Sequence, residues 1–226
     1  RRVSRWCGSA RKRSLDVMLA AISLPLAIPL IGGLAAISAI RFRCSPFFVQ
    51  GRAGIDEEPF RVTKIRSLPE DFPEVGKHDL DDRMICRWGQ FLRNSHLDEL
   101  PQILNVLDGS MSLVGPRPMI PSVLDELSSR DRIARACVKP GLTGPWQVSS
   151  AGGGALQDCA WLDGRYVENG SMAVDIRLLA MTASTIMGGT PRTPDELVDR
   201  FGWRSLQVVG LSADAVAATD PELAAG

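Results

Sequence analysis

The chain of 226 residues carries 26 Lys plus Arg against 26 Asp plus Glu, so its formal net charge is zero. That balance argues against a dedicated nucleic-acid binder, which shows a basic domain or stripe. A composition of 45% hydrophobic and 23% charged residues excludes a disordered chain, and five scattered cysteines with no C-x-x-C pair point to reduced thiols rather than a disulfide framework.

Charge is unevenly laid out. Arg1, Arg2, Arg5, Arg11, Lys12 and Arg13 crowd the start, and Val17–Ile40 then runs without a charged side chain. As straight helix this run is about 36 Å long, slightly more than a bilayer's hydrocarbon core. It is too long for the apolar region of a signal peptide. Pro25 and Pro29 sit inside it, each removing a backbone donor and favouring a kink, and Arg41 and Arg43 follow it. Both flanks are therefore basic, and basic flanks prefer the cytoplasmic side. The pattern predicts a re-entrant hairpin bent at Pro25 and Pro29. A straight span and a buried soluble helix remain as alternatives.

Next come two short strands, Pro46–Gln50 and Phe60–Ile65, joined by a turn-rich link. Residues 67–82 read as a polar surface loop. From Trp88 the pattern turns helical, with Leu97, Leu100, Ile103, Leu104 and Leu107 on one face and Gly109 as a stop. Further helices are expected from Ser122 to about Ala136, from Met172 to Met187, and from a capped start at Thr193–Glu196. From about Ser205 the chain is Ala-rich and weakly patterned.

The sharpest local feature is Ser95–Pro101, which holds the adjacent acids Asp98 and Glu99. With Asp98 as an N-cap, both carboxylates lie at a helix's positive end, where negative charge is favoured. Plain capping, at about 1 kcal/mol, is the simpler alternative. Ser112–Pro118 presents Arg117 between two prolines, a rigid setting for bidentate binding of phosphate or carboxylate, or for a tie to a neighbouring acid. Arg52 beside glycines, and Lys64 and Arg66 at the end of the second strand, suit anionic headgroups or simply a solvated surface. Lys139–Val148 is a turn-rich segment, a pocket wall or a structural loop, with Trp146 able to stand exposed. With only His78 and His96 in the chain, a His-based metal site is not expected, and the phosphate-binding and nucleophile-elbow glycine motifs are absent.

Taken in order, these motifs resemble the bacterial sugar transferases, the monotopic phosphoglycosyl transferases. The resemblance covers roughly Lys12 to Met187. Lys12-Arg13 with Asp16 opens the hairpin, and Gln50, Arg52 and Gly54 match Q-x-R-x-G. Phe60, Lys64 and Arg66 match the following strand, and Leu97–Gln102 matches the catalytic signature. Ser112–Pro118 matches S-L-V-G-P-R-P, Pro140–Gly144 with Gln147-Val148 the next block, and Asp163, Tyr166, Ser171, Asp175 and Thr182 the last. The chain departs from the pattern at Ile28, His96 and Gly152–Gly154.

The resemblance implies a mostly helical α+β fold: a re-entrant membrane hairpin in residues 1–45, a cytoplasmic catalytic domain in 46–190 and an extension in 191–226. It implies a ping-pong transfer of sugar-1-phosphate from a nucleotide diphosphate sugar to polyprenyl phosphate at the bacterial inner membrane. In that scheme Asp98 is the nucleophile, and Asp98 and Glu99 hold Mg²⁺. Arg117, Lys64, Arg66, Arg52 and Gln147 bind substrate and phosphate. No nucleic-acid partner is expected, and homodimerisation is compatible with the scheme. A non-catalytic anchored binding protein that keeps the fold is the competing class.

Overall fold

The charge-free run folds as the centre of one long helix, α1 (Ala10–Phe42). The computed structural model describes residues 3–70, 72, 85–150 and 156–203. Most of the loop expected at 67–82, with His78, lies outside the described residues, as do Gly152–Gly154 and the tail from Ser205. Ser9 caps α1 by accepting from the Lys12 amide, and Arg43, in the left-handed region, ends it. The backbone stays helical through Pro25 and Pro29, so no interruption of the helix marks a turn there. Two residues before Pro25, the Ser23 hydroxyl donates to the Ala20 carbonyl at 2.7 Å. Side chains of this kind supply partners to carbonyls near a helical proline. Among the described residues α1 is the one helix long and apolar enough to cross a membrane. Ile22, Leu26, Ile28 and Ile40 along it are each more than half exposed.

Both ends of α1 are fastened to the same body. Near its start, Lys12 and Asp16 are buried, and Lys12 Nζ lies 2.7 Å from Asp175 Oδ2. The same Asp175 accepts from Trp6 Nε1 at 2.8 Å and from the Tyr166 hydroxyl at 2.7 Å. Asp16 accepts from Ser112 Oγ at 2.7 Å. Arg13 donates to the carbonyls of Val106 and Leu107 near the C-terminal end of the short helix Ile103–Asp108, where a cation complements the helix dipole. Toward the other end, Leu34 packs with Ile65 and Leu92, and Ser38 accepts from Trp88 Nε1 at 2.9 Å.

After α1 comes an antiparallel hairpin, β1 (Phe47–Ala53) and β2 (Pro59–Ile65), with Phe47 opposite Ile65 and Arg52 opposite Phe60. The helix expected from Trp88 onward is divided into three parts. α2 (Arg87–Asn94) ends at a turn in which His96 takes a left-handed φ of 55°. A 3-10 turn (Leu97–Gln102) follows and passes into α3 (Ile103–Asp108), which Gly109 closes at φ 93°. Pro101 explains the division. It has no amide to donate, and its ring would clash with the carbonyl four residues back in a continuous α-helix. Asp98 is therefore not an N-cap: His96 holds that position without a side-chain cap, and Asp98 lies in the first turn.

β3 (Ser112–Val114) pairs in parallel with β4 (Gly141–Thr143), Ser112 opposite Gly141 and Val114 opposite Thr143. Here glycine is demanded by space. A Cβ on Gly141 or Gly144 would collide with the backbone of Gly115, and one on Gly115 with the Lys139 carbonyl. Between the strands the expected single helix is split into α4 (Pro121–Leu124) and α5 (Ser129–Ala136), because Ser128 makes a fresh N-cap to Asp131 N at 3.2 Å. α6 (Pro145–Val148) and α7 (Leu156–Asn169) follow. α8 (Met172–Ile186) runs nearly as expected, and α9 (Pro194–Phe201) starts with the expected capping box of Thr193 and Glu196. Leu197 of α9 and Trp203 are buried in the main core with Val106, Val114, Tyr166 and Leu178, so residues 194–203 pack on the same body. The fold is α+β and mostly helical, with two two-stranded sheets among the described residues.

Lys12→Met would leave the buried Asp175 with two hydrogen bonds and no cation. Breaking a buried pair from one side costs about 3–5 kcal/mol, and a domain of this size loses about 2–4 °C per kcal/mol. The melting temperature of the detergent-solubilised protein should fall by at least about 6 °C; an unchanged value would refute the role given to this pair.

Candidate active site

Glu99 gathers three segments. Its Oε1 lies 2.7 Å from Lys64 Nζ on β2 and 2.6 Å from Arg117 Nη2, while Oε2 meets Arg117 Nη1 at 3.3 Å. Burial alone would raise the Glu99 carboxyl, but the charges of Arg117 and Lys64 outweigh it and hold Glu99 well below the usual carboxylate range. Lys64 is pushed down by burial, with Glu99 opposing. Beside them, Arg52 donates to Gln50 Oε1 at 2.6 Å and to the Pro118 carbonyl at 3.4 Å. Burial and then the Arg117 charge bring Arg52 down to about 10, which leaves it cationic at neutral pH. Arg52, Lys64, Glu99, Gln102, Arg117 and Pro118, with Val62, Gly141 and Leu142, line one cleft of ≈ 230 Å³.

Asp98 differs from its neighbour in every respect. It is buried, and no hydrogen bond reaches its carboxylate among the described residues. Burial and the adjacent Glu99 charge raise it to about 6, with Lys64, Arg93 on α2 and Arg117 opposing. Two neighbouring acids thus have opposite electrostatics, one firmly ionised and paired, the other poised and without a hydrogen bond. That separation is what assigns different roles to paired carboxylates.

Arg117 is held from beneath as well. The ring of Trp146 lies under its guanidinium at 5.8 Å, within cation–π range. Trp146 is buried, not exposed, because α6 turns it inward. Thus four of the residues expected from sequence, Arg52, Lys64, Glu99 and Arg117, come together around the cleft, with Asp98 adjoining. Arg66 does not. It donates to Ser45 O at 2.7 Å and braces the passage from α1 into β1. Gln147 is also absent from the cleft lining; its amide is buried without a hydrogen bond among the described residues. Pro25 and Pro29 lie within α1, and the fold brings neither to the cleft. Sequence reasoning placed Gln102 in the catalytic signature without giving it a role, and missed Arg93, which carries no local signal beyond its place near the acid pair.

Three cations facing one paired acid and one poised acid suit a substrate with several negative charges, such as a diphosphate. The family model for bacterial sugar transferases matches residues 7–189, which include every residue of this cleft. The chain belongs to the bacterial sugar transferases. It is 38% identical over 189 residues to a UDP-glucose:undecaprenyl-phosphate glucose-1-phosphate transferase of Caulobacter vibrioides, covering 78% of this chain and 70% of that one. It is 31% identical over 192 residues to the uncharacterised sugar transferase EpsL of Bacillus subtilis, covering 84% of this chain and 95% of that one. A UDP-N-acetylgalactosamine-undecaprenyl-phosphate N-acetylgalactosaminephosphotransferase of Aeromonas hydrophila is 32% identical over 186 residues, covering 79% of this chain but 44% of that longer protein.

Mg²⁺ in this sugar transferase would have to be held by few protein groups. Among the described residues no third His, Cys, Asp or Glu joins Asp98 and Glu99 in a metal-binding group. Mg²⁺ is commonly bound by one or two carboxylates together with substrate phosphates. The Asp98 carboxylate, with no hydrogen bond, fits that mode, so the donor set suits a cation that arrives with a diphosphate.

The raised Asp98 carboxyl has a consequence for stability. A carboxyl at about 6 in the folded state, against an ordinary 3.8, binds its proton more readily folded than unfolded. Stability is therefore lost as pH rises from about 4 to 6, and the penalty persists above that range. Asp98→Asn should be more stable than the native chain at neutral pH, by at most about 3 kcal/mol at about 1.4 kcal/mol per pKa unit. The advantage should vanish near pH ~4. Thermal melts across this range give the check, and equal stability at neutral pH would contradict it.

Proposed function

We propose that this sugar transferase moves a sugar-1-phosphate from a nucleotide diphosphate sugar to polyprenyl phosphate, through a covalent intermediate on Asp98. The observation that carries this reading is the contrast within the acid pair: Glu99 is locked to Lys64 and Arg117, while Asp98 accepts no hydrogen bond among the described residues and is raised to about 6. At neutral pH a carboxylate so raised is still ionised and is a better nucleophile than an ordinary Asp. Its oxygen attacks the sugar-proximal phosphorus, and the bond to the nucleoside monophosphate breaks, so that product leaves with the bridging oxygen. An oxygen of the lipid phosphate then attacks the same phosphorus, breaks the bond to Asp98 and frees the carboxylate, leaving a polyprenyl diphosphate sugar.

Both steps bring anions together, and Arg117, Lys64 and Arg52 compensate the charge on the transferred phosphate. Arg117, with its fork set over Trp146, presents two donors in fixed geometry. Mg²⁺, held by Asp98 and Glu99 with the diphosphate, would neutralise charge on the leaving nucleotide. The names of the Caulobacter and Aeromonas relatives, which specify undecaprenyl phosphate as acceptor, support the lipid substrate. The names of relatives in exopolysaccharide production support a place in polysaccharide assembly.

The anchor is read the same way. α1 exposes Ile22, Leu26, Ile28 and Ile40 while both its ends pack on one body. This supports an anchor that enters the membrane from the side of the catalytic body and does not carry either end across. The body then lies on the cytoplasmic face, where nucleotide sugars are found, and the basic Arg41–Arg43 flank agrees.

Asp98→Asn should lower transfer by several orders of magnitude. Mass spectrometry of protein quenched with nucleotide sugar, without lipid acceptor, should find a sugar-phosphate adduct on Asp98 in the native chain and none in the variant. An adduct on Glu99 would reverse the roles, and full turnover by Asp98→Asn would end the covalent scheme.

Topology needs an accessible probe. Cys7 is unsuitable because its thiol is pushed up to about 11, chiefly by burial. Gly8 is exposed, with nothing within 4 Å of an added Cβ. A Gly8→Cys chain and one probed at Cys44 should both label only after cells are permeabilised; labelling of the Gly8→Cys thiol in intact cells would overturn the same-side anchor.

A further inference from the structure

Arg117 is fixed through its own peptide as well as its side chain. Its carbonyl accepts from Arg135 Nη2, and Arg135 Nη1 donates in turn to Asp163 Oδ2. The backbone amides of Trp146 and Arg117 face the same Asp163 carboxylate. Arg135 is 6% exposed and Asp163 fully buried, on α5 and α7, and neither residue lines the cleft. The peptide of Arg117 is therefore tied to one buried ion pair.

We propose that Arg135 and Asp163 are positioning residues that grip the Arg117 peptide and so aim its guanidinium into the cleft. This rests on the anion-binding role given to Arg117 in the proposed function. A pair that merely stapled α5 to α7 would have no need to reach that peptide. A buried ion pair adds little stability over apolar packing of similar volume, so its place here is better explained by orientation. The requirement is strict, since a shift of about 1 Å in a positioning group can cost about 100-fold in rate.

The test is a double-mutant cycle on the full chain in lipid nanodiscs. Arg135→Lys keeps the charge and loses the fork that spans the Arg117 carbonyl and Asp163. It should lower kcat/KM by about 10- to 100-fold, chiefly through kcat. In an Arg117→Lys background the same change should cost no more than about 2-fold, because its effect runs through Arg117. Asp163→Asn, equal in size and still an acceptor, carries the same cycle should Arg135→Lys fail to fold, and circular dichroism decides which is used.

Inorganic pyrophosphate affinity, measured by calorimetry on the same proteins, gives a readout that needs no turnover. Weakening in the single variants that disappears in the Arg117→Lys background supports the grip. Independent, additive losses, or unchanged pyrophosphate affinity and turnover in a folded Arg135→Lys chain, overturn it. A native chain that binds pyrophosphate but transfers no sugar phosphate ends the proposed function, and the binding cycle still judges the grip.

Discussion

The site depends on the shared bond that Glu99 makes with Lys64 and Arg117. Those residues come from a hairpin strand, a 3-10 turn and a proline-flanked loop, and no other ion pair joins all three among the described residues. Burying three charged groups is costly unless each is paired and hydrogen-bonded. The two contacts at 2.6 and 2.7 Å meet that condition at one carboxylate oxygen. Burial first, and then the charge of Glu99, the next residue in the chain, hold the Asp98 carboxyl well above an ordinary aspartate. The chemistry proposed for Asp98 is thus prepared by burial and by Glu99.

The loop that delivers Arg117 is built by close backbone contact. Gly115, Gly141 and Gly144 let the segments on either side of β3 and β4 approach to a spacing that no side chain allows. Gly115 N donates to Thr143 O at 2.9 Å and Gly141 N to Pro116 O at 2.8 Å, so the ladder continues beyond the paired strands up to the proline. Prolines on both sides then leave Arg117 little backbone freedom. Rigid backbone, a tryptophan floor and a charged neighbour act together on one guanidinium.

Much of this was legible in the sequence because its signals are local. The capping box at Thr193, the charge-free run of α1 and the acid pair beside Pro101 each need only a few neighbouring residues to be read. The breaks within the expected helices were less legible. Pro101 lies inside a 3-10 turn that follows His96 in a left-handed conformation, a break that the apolar face from Leu97 to Leu107 does not show. β3 and β4, three residues each, are too short to show alternation. α7 was missed, and with it the location of Asp163. The role of Arg66 in bracing Ser45, and the partners of Lys12 and Arg13, involve residues 19 to 163 positions away, which no local pattern reveals.

The longest of these contacts bears on how the protein is made. Lys12 and Asp175 are 163 residues apart, and Trp6 and Tyr166 join them at the same carboxylate. As the chain leaves the ribosome, α1 emerges before α8, and its buried lysine has only Asp16, 3.7 Å away, as an acidic partner until α8 has been synthesised. Closure of the body around the base of α1 therefore waits for α8.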